Sequence, residues 1–600
     1  MAQRRQDPLN SLYVRVAPCP SIALRPPVDR MNADSLKRWF PFLAWTRPDP
    51  RFVKGDLYAG VTVGLIVLPQ GVAYAALAGM PLVTGIYASL LPALIAVLWG
   101  ASNRLSVGPT ALTCLLISSS LTGLAAPGSS EWVALAVWLA LLSGGLQLAL
   151  GLGRFGWLLN LVSSPVLTAF TQAAAILILL SQVPTLLGLG GPLASLFAAS
   201  TIAAVNLPAA AFGLGSLALM LTGKRLWPNF PVVIAVVAAS ALVSAWLKFS
   251  ESGGPVIGAL PAGLPEFYWP PTLPWETLGS LVMPAMVITL ISFLETASSA
   301  KVENQLDNKR WNDNQDLIGQ GLAKVASALC GAFPTSSSFS RSAILIHAGA
   351  RTGWATVVTV LLVLVALLWL MPALFHVPKS VLAAVVIAAV MGLVKPAELV
   401  RLWRISKVEA ITAGVTFLLT LVTAPRLYWG VLAGLLMSLS HFLHHRLHPR
   451  IIEVGLHPDG SLRDRHLWHL PLIGPQVYAL RMDAELDFAS ASGLTNAIGR
   501  HLSAHPETRH VCLFAQPINR IDVTGVEAFN QIRTSLAERG ITLHISGIKL
   551  PVETILSRAK ALPTGPLLQL YRTDADTLTA LSELSSHRAE GPHATGESIG

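Results

Sequence analysis

Between Tyr58 and His441 the sequence repeats one pattern. An apolar run of about twenty positions gives way to a few polar or turn-forming residues and then resumes. Wound as α-helix, a run of that length matches the hydrocarbon core of a bilayer. The pattern predicts fourteen segments, near residues 57–78, 83–99, 107–124, 132–152, 161–188, 198–221, 230–248, 280–300, 317–331, 339–350, 354–374, 379–394, 408–424 and 428–446. Two deviate from it: 317–331 is short, and 339–350 opens on serines and Arg341.

After Arg446 the period changes. Residues 447–476 mix apolar positions with Pro, Gly and His and read as a linker. Strands are expected at 477–482, 511–515 and 541–546, and helices at 490–504, 524–539 and 550–560. Strands alternating with helices indicate an α/β domain with a largely parallel sheet. It is placed at 477–565, with 566–600 as a tail whose end is expected to be disordered. Residues 1–49 carry Arg4, Arg5, Arg15 and further basic residues without an apolar signal core, so they are expected to form a cytoplasmic arm. The membrane domain would span 50–446.

Composition agrees with the pattern. Hydrophobic residues make up 53% and charged residues 12%, where soluble domains carry about 25% charge. A pI near 9.6 raises the question of nucleic acid, but the basic residues of the membrane part lie in short loops between segments, so a nucleic-acid partner is rejected. Those loops are asymmetric. Arg104, Arg154, Lys224, Arg225, Lys301, Lys309, Arg310, Arg351, Lys395, Arg401, Arg404, Lys407, Arg446 and Arg450 fall on one side, and Lys248, Lys379 and Arg426 on the other. The positive-inside rule then puts both termini in the cytoplasm. Four scattered cysteines suggest neither a disulfide framework nor a metal cluster.

Polar residues inside the segments are the candidates for chemistry. The stretch Gly331–Ile346 sets Pro334, a run of serines and Arg341 between two apolar segments. Serines suit a helix N-terminus, whose free N–H groups and dipole attract anions, and an arginine at membrane depth is a functional-site candidate; a polar extramembrane loop with an ordinary N-cap is the alternative. Glu295 lies mid-segment, where a carboxylate must face the protein interior or water and is a proton-carrier candidate; an ion pair with Arg341 is the structural alternative. Gln70 and Tyr74 share one face of the first segment, for ligand contact or for helix packing. Gln172 is expected to tie helices together. Segments 1 and 3 resemble segments 8 and 10 in polar content and helix breakers, a weak symmetry that points to inverted repeats with a midplane site.

Three motifs, Pro69-Gln70-Gly71-Val72-Ala73-Tyr74-Ala75, Gly85-Ile86-Tyr87-Ala88-Ser89-Leu90-Leu91-Pro92 and Ser106-Val107-Gly108-Pro109-Thr110-Ala111, resemble the SulP family, relatives of animal solute carrier family 26. The stretch Asn519–Val526 is similar to a STAS domain. The resemblance covers roughly residues 50–565. It implies a polytopic α-helical membrane protein of fourteen segments in two inverted repeats of seven, divided into core and gate domains, plus a C-terminal α/β STAS domain. It further implies a homodimer in the inner (plasma) membrane, an elevator-like motion and no enzymatic activity or cofactor. An anion would be held between the N-termini of segments 3 and 10 by Gln70, Tyr74, Thr110, Ser338, Phe339, Ser340 and Arg341. Glu295 stands where proton-coupled relatives carry glutamate. A sodium-coupled relative has aspartate there with threonine four residues on; the pair here is Glu295 and Ser299.

The expected function is secondary active transport of small inorganic anions, sulfate favoured, by proton symport. Bicarbonate or C4-dicarboxylate transport with proton or sodium coupling, anion exchange and an uncoupled anion channel are the alternatives. The expected partners are the anion, protons and the lipid bilayer, with room for a cytoplasmic protein at the STAS domain. Where antagonist STAS domains have a phosphorylatable serine after the aspartate, this chain has Val523; Thr524 is expected to cap the following helix.

Overall fold

The computed structural model describes residues 40–45, 50–189, 206–227, 230–261, 263–563 and 565–586. The N-terminal arm up to residue 39, the start of the sixth expected segment and the last residues of the chain lie outside these. The chain forms two compact units that divide between Leu435 and Leu436, inside a helix.

The first unit follows the apolar pattern closely. Its helices are α1 (Pro50–Leu77), α2 (Leu91–Trp99), α3 (Ala111–Leu121), α4 (Ser130–Leu152), α5 (Ser164–Leu186), α6 (Leu207–Leu226), α7 (Val232–Trp246), α8 (Trp275–Leu306), α9 (Asp313–Leu329), α10 (Phe339–His347), α11 (Trp354–Val365, continued to Leu374), α12 (Lys379–Val390), α13 (Lys407–Val422) and α14 (Tyr428–Leu447). These are the fourteen expected segments. Seven helices among the described residues are long and apolar enough to cross a membrane. By contrast α3 has 11 residues and α10 has 9, about 16 and 14 Å of helix, roughly half of a hydrocarbon core.

Helices α1 to α4 pack chiefly with α8 to α11, as in the α4–α9, α1–α11 and α2–α9 pairs, while α5 and α6 pack with α12 and α13. Small residues allow the closest approaches. A Cβ at Gly85 would stand 1.9 Å from the Gly71 carbonyl oxygen, so the short helix Thr84–Tyr87 can cross α1 only as glycine on glycine. At Gly321 a Cβ would stand 2.8 Å from the Leu148 amide nitrogen. The outer faces keep large apolar side chains exposed, among them Leu242, Trp246, Trp369 and Val422, as lipid contact requires.

One helix of this unit was not expected from the apolar pattern. Pro396–Ile405 was read as a charged loop; it is an amphipathic helix with no buried residue, starting with a proline at its N-terminal turn. Ten residues are too few for a span, and Arg401 and Arg404 interrupt its apolar run while lying on one face.

The second unit is built on a six-stranded sheet in the order β4-β3-β5-β6-β7-β8, with β3 (Ile451–Leu456), β4 (Leu462–Asp464), β5 (Val477–Met482), β6 (His510–Phe514), β7 (Thr542–Ser546) and β8 (Leu568–Tyr571). Strands β5 to β8 are parallel, and β3 is antiparallel to β4 and β5. Helices α15 (Ala491–Ala504), α16 (Val523–Glu538), α17 (Leu550–Arg558) and α18 (Asp574–Ser586) complete it. Residues 447–476, read as a linker, therefore hold two strands of this sheet, and 566–600, read as a tail, hold β8 and α18. Alternation in β3 is spoiled by Gly455, which packs under Leu470 and Pro471, and that hid the strand. Helix α16 is capped by Asp522, which accepts from the Gly525 N–H at 2.8 Å, and not by Thr524, an exposed residue of the first turn.

Candidate functional site

Two half-length helices meet through a very short sheet. Strand β1 (Val107–Gly108) leads into α3 and strand β2 (Ser336–Ser337) into α10. They pair antiparallel, Val107 opposite Ser337 and Gly108 opposite Ser336. Since the strands run in opposite directions, the helices they start leave from opposite ends of the pair. Each has a hydroxyl cap. Thr110 accepts from the Thr113 N–H at 3.4 Å, and Ser338 accepts from the Arg341 N–H at 3.4 Å. Further bonds lock the junction: Ser338 N–H donates to the Ser106 carbonyl and Ser106 N–H to the Ser342 hydroxyl, both at 2.9 Å.

Arg341 lies across this junction with 3% of its surface exposed. Its Nη1 donates to the Pro109 carbonyl at 2.9 Å and reaches Gln70 Oε1 at 3.5 Å; its Nε donates to the Ser106 hydroxyl at 3.2 Å. Its Nη2 is buried without a partner. Gln70 is half-buried on α1 directly after Pro69, and Tyr74, one turn on, is buried. Phe339 and Ser340 are exposed and Ser338 is half-buried. The structure thus gathers Gln70, Thr110, Ser338 and Arg341 at one place, with Tyr74 beside Gln70 on its helix, whereas Phe339 and Ser340 face outward from the first turn of α10.

Glu295, half-buried on α8, accepts from the Thr110 hydroxyl at 3.2 Å. No ion pair joins it to Arg341, so the structural alternative raised by the sequence is not formed; Arg341 is engaged by neutral oxygens instead. Ser299 is buried and donates to the Glu295 backbone carbonyl at 3.1 Å, which directs its hydroxyl along its own helix and away from the carboxylate. Gln172 acts as a tie: its Oε1 accepts from the Lys395 N–H at 3.2 Å.

Lys324 was missed. It is fully buried on α9, where its Nζ donates to Gln147 Oε1 at 2.6 Å and Ser292 Oγ at 2.7 Å. Ser292 precedes Glu295 by three residues on α8, and its carbonyl lies 3.5 Å from the Ser336 hydroxyl. The signal in the sequence is a lone lysine in the apolar run 317–329. Beneath this, the loop before β1 is held by carboxylates of the second repeat. Asp316 accepts from Ala101 N–H (2.7 Å), Ser102 N–H (3.0 Å), the Ser102 hydroxyl (2.7 Å) and Trp311 Nε1 (2.7 Å). Glu303 pairs with Arg104 at 3.4 Å, and Asp307 with the same guanidinium at 2.7 Å.

The arrangement offers free helix N–H groups, a hydroxyl at each cap and one buried guanidinium, a donor set that suits an anion. Among the described residues no cluster of three or more His, Cys, Asp or Glu converges to hold a metal.

Comparisons with known proteins agree with this geometry. The model of the sulfate permease family matches residues 53–416, and that of the STAS domain matches 473–575. The chain is 32% identical over 546 residues to a probable sulfate transporter 4.2 of Arabidopsis thaliana, covering 87% of this chain and 80% of that one. It is 31% identical over 568 residues to a sodium-independent sulfate anion transporter of Bos taurus, covering 88% and 89%. Its fold matches the murine solute carrier 26 family member A9 anion transporter in the inward-facing state with a TM-score of 0.81 at 20% identity, over 95% of this chain and 97% of that one. The transmembrane domain of the cyanobacterial bicarbonate transporter BicA matches 65% of this chain and 98% of its own with a TM-score of 0.56 at 20% identity. With the family model spanning well over half of the chain and a STAS domain following it, the protein belongs to the sulfate permease family and carries a C-terminal STAS domain.

Proposed function

We propose that this chain is a secondary active transporter of small inorganic anions, sulfate first, and that the anion binds at the β1–β2 junction. The observation that carries this reading is the Arg341 Nη2 group, buried without a partner beside two hydroxyl-capped helix starts. A buried cationic donor with nothing to bind is costly, and an anion would relieve it. Gln70, Thr110, Ser338 and Arg341 would line the site, with Tyr74 shaping its wall and Phe339 and Ser340 at its open side. Relatives named as sulfate transporters support the choice of sulfate ahead of bicarbonate.

Coupling is proposed to be by protons, with Glu295 as the carrier. Its bond to Thr110 ties it to the cap of α3, so that a change of its charge would act on the anion site through one hydroxyl. Sodium coupling stays the alternative, since the Ser299 hydroxyl donates its proton to the Glu295 carbonyl and keeps oxygen lone pairs for a cation. The packing of α1–α4 with α8–α11 and of α5–α6 with α12–α13 supports core and gate bodies and an elevator-like motion. A homodimer in the plasma membrane, with cytoplasmic termini, completes the proposal.

The test is an uptake panel in proteoliposomes with sulfate, bicarbonate, chloride, succinate and fumarate, each with and without proton and sodium gradients. Sulfate accumulation that follows the proton gradient is expected. Large uncoupled currents would make the protein a channel, and accumulation that needs sodium would remove Glu295 from its proposed role.

A further inference from the structure

The last two turns of α14 carry His441, His444 and His445, and His448 follows directly after its last residue, its N–H still bonded to the His444 carbonyl at 3.0 Å. With the spacing of 3.6 residues per turn carried to His448, these four fall on one arc, with Leu443 and Leu447 opposite. Their rings form a continuous ladder. Ring centroids are 4.5 Å apart for His441 and His445, 6.2 Å for His444 and His445, and 4.3 Å for His444 and His448. His444, His445 and His448 are exposed. His448 Nδ1 lies 3.0 Å from the His444 carbonyl oxygen. A carbonyl only accepts, so Nδ1 carries the proton and Nε2 keeps its lone pair. A ligating imidazole is ordinarily fixed in this way by a partner on its other nitrogen. The arginines within and just beyond the ladder are drawn off it. Arg446 pairs with Glu485 at 2.6 Å and Asp487 at 2.9 Å, and Arg450 with Asp464 at 3.2 Å.

We propose that this ladder binds a divalent transition ion of the zinc, nickel or copper type, through the pair His444–His448 and, beside it, the pair His441–His445. Imidazole is the side chain these ions favour. Metal–nitrogen bonds are about 2.0–2.1 Å for zinc, and rings this close along a helix bring two nitrogens within reach of one ion. Each ion takes two protein ligands and completes its shell with water, since no third His, Cys, Asp or Glu converges on either pair among the described residues. An ion bridging positions i and i+4 staples a helical turn, so its binding stiffens the end of α14. The inference rests on α14 and its carboxylate neighbours and is independent of the transport reading.

The experiment uses the full-length protein, purified without a polyhistidine tag and held in nanodiscs, titrated with zinc and nickel against a chromophoric chelator. Saturable binding is expected that weakens on acidification, because only neutral imidazole ligates. The double variant His441→Ala/His448→Ala is expected to weaken binding by at least the about tenfold that loss of even a supporting partner costs. His444→Gln/His448→Gln, which keeps side-chain bulk, should do the same for one of the two sites. His466→Ala, remote from the ladder in sequence, should change nothing. No saturable binding by the wild-type protein, binding unaltered in the double variant, or equal loss in His466→Ala would each overturn the proposal.

Discussion

Glu295 and Arg341 bind neighbouring residues of one turn and not each other: Glu295 accepts from the Thr110 hydroxyl at 3.2 Å, and Arg341 donates to the Pro109 carbonyl at 2.9 Å. A carboxylate and a guanidinium that share a turn through neutral groups retain their separate charges for other partners. That is the arrangement a carrier of both an anion and a proton requires.

Replacing Arg341 by alanine should abolish most anion binding while leaving a folded protein. A hydrogen bond to a charged group is worth about 1.5–3 kcal/mol, or roughly ten- to a hundredfold in Kd. Arg341→Lys should recover part of the loss, since the charge returns without the planar fork. Equilibrium binding of labelled sulfate to purified protein measures both; unchanged affinity in the alanine variant would remove Arg341 from the site.

Glu295→Gln keeps an oxygen for the Thr110 proton and loses the charge. An anion entering alone meets about 2.3 kcal/mol per charge per 100 mV of inside-negative potential, which a co-transported proton offsets. The variant should therefore still exchange sulfate for sulfate in counterflow but lose accumulation driven by a pH gradient. Both are read in the same proteoliposomes, and full proton-driven accumulation by the variant would assign the proton elsewhere.

Lys324 separates charge from packing. Lys324→Met keeps most of the stem and removes the bonds to Gln147 and Ser292, which leaves Gln147 Oε1 without its 2.6 Å donor. A buried polar atom left unpaired costs about 1–3 kcal/mol. Lys324→Ala adds a cavity and should cost more still. Thermal aggregation midpoints of purified protein should fall in the order wild type, methionine, alanine; an alanine variant as stable as wild type would contradict the packing seen around α9.

The STAS unit should lose stability in weak acid through His544. This residue is 2% exposed, and its ring nitrogens meet His510 at 3.1 Å and Tyr571 at 3.2 Å. Burial first, and the neighbouring His510 second, push its pKa down to about 4 from an ordinary 6.5. The unfolded chain then takes up a proton that the folded one refuses, so stability is full above about pH 6.5, falls as the pH drops toward about 4 and is flat below. Urea unfolding of a fragment spanning 450–586 between pH 8 and 4 should show this fall, and His544→Gln should flatten it. A slope identical in both would place the proton uptake on other groups.

Much of this was legible in the sequence, for a physical reason in each case. The bilayer demands long apolar runs, so twelve of the fourteen segments could be placed from hydropathy alone, and the serine run suited the helix start that Ser338 caps, whereas Thr110 came from the family resemblance. Distant partners were not legible. Neither Gln147 nor Ser292 announces that it holds Lys324, and nothing near Arg104 says that Glu303 will meet it. Pairing hid β3 as well, because its place in the sheet is set by β5 and not by its own alternation. The Glu295–Arg341 pair was expected because opposite charges attract; it is absent because the carbonyl of Pro109 and the hydroxyls of Ser106 and Thr110 are nearer partners.

The β1–β2 pair has a consequence for how the molecule is made. Val107 waits for Ser337, and Arg104 for Glu303, across half or more of the length of the membrane domain. At about 5–20 residues per second of synthesis, an interval on the order of ten to several tens of seconds separates the two halves of each partnership. During that time the first repeat is in the membrane with α3 started from an unpaired strand and a guanidinium without its carboxylates. Substitutions at Glu303 or Ser337 are therefore lesions of assembly, felt by the quality-control machinery that waits on nascent helices before any anion is ever met.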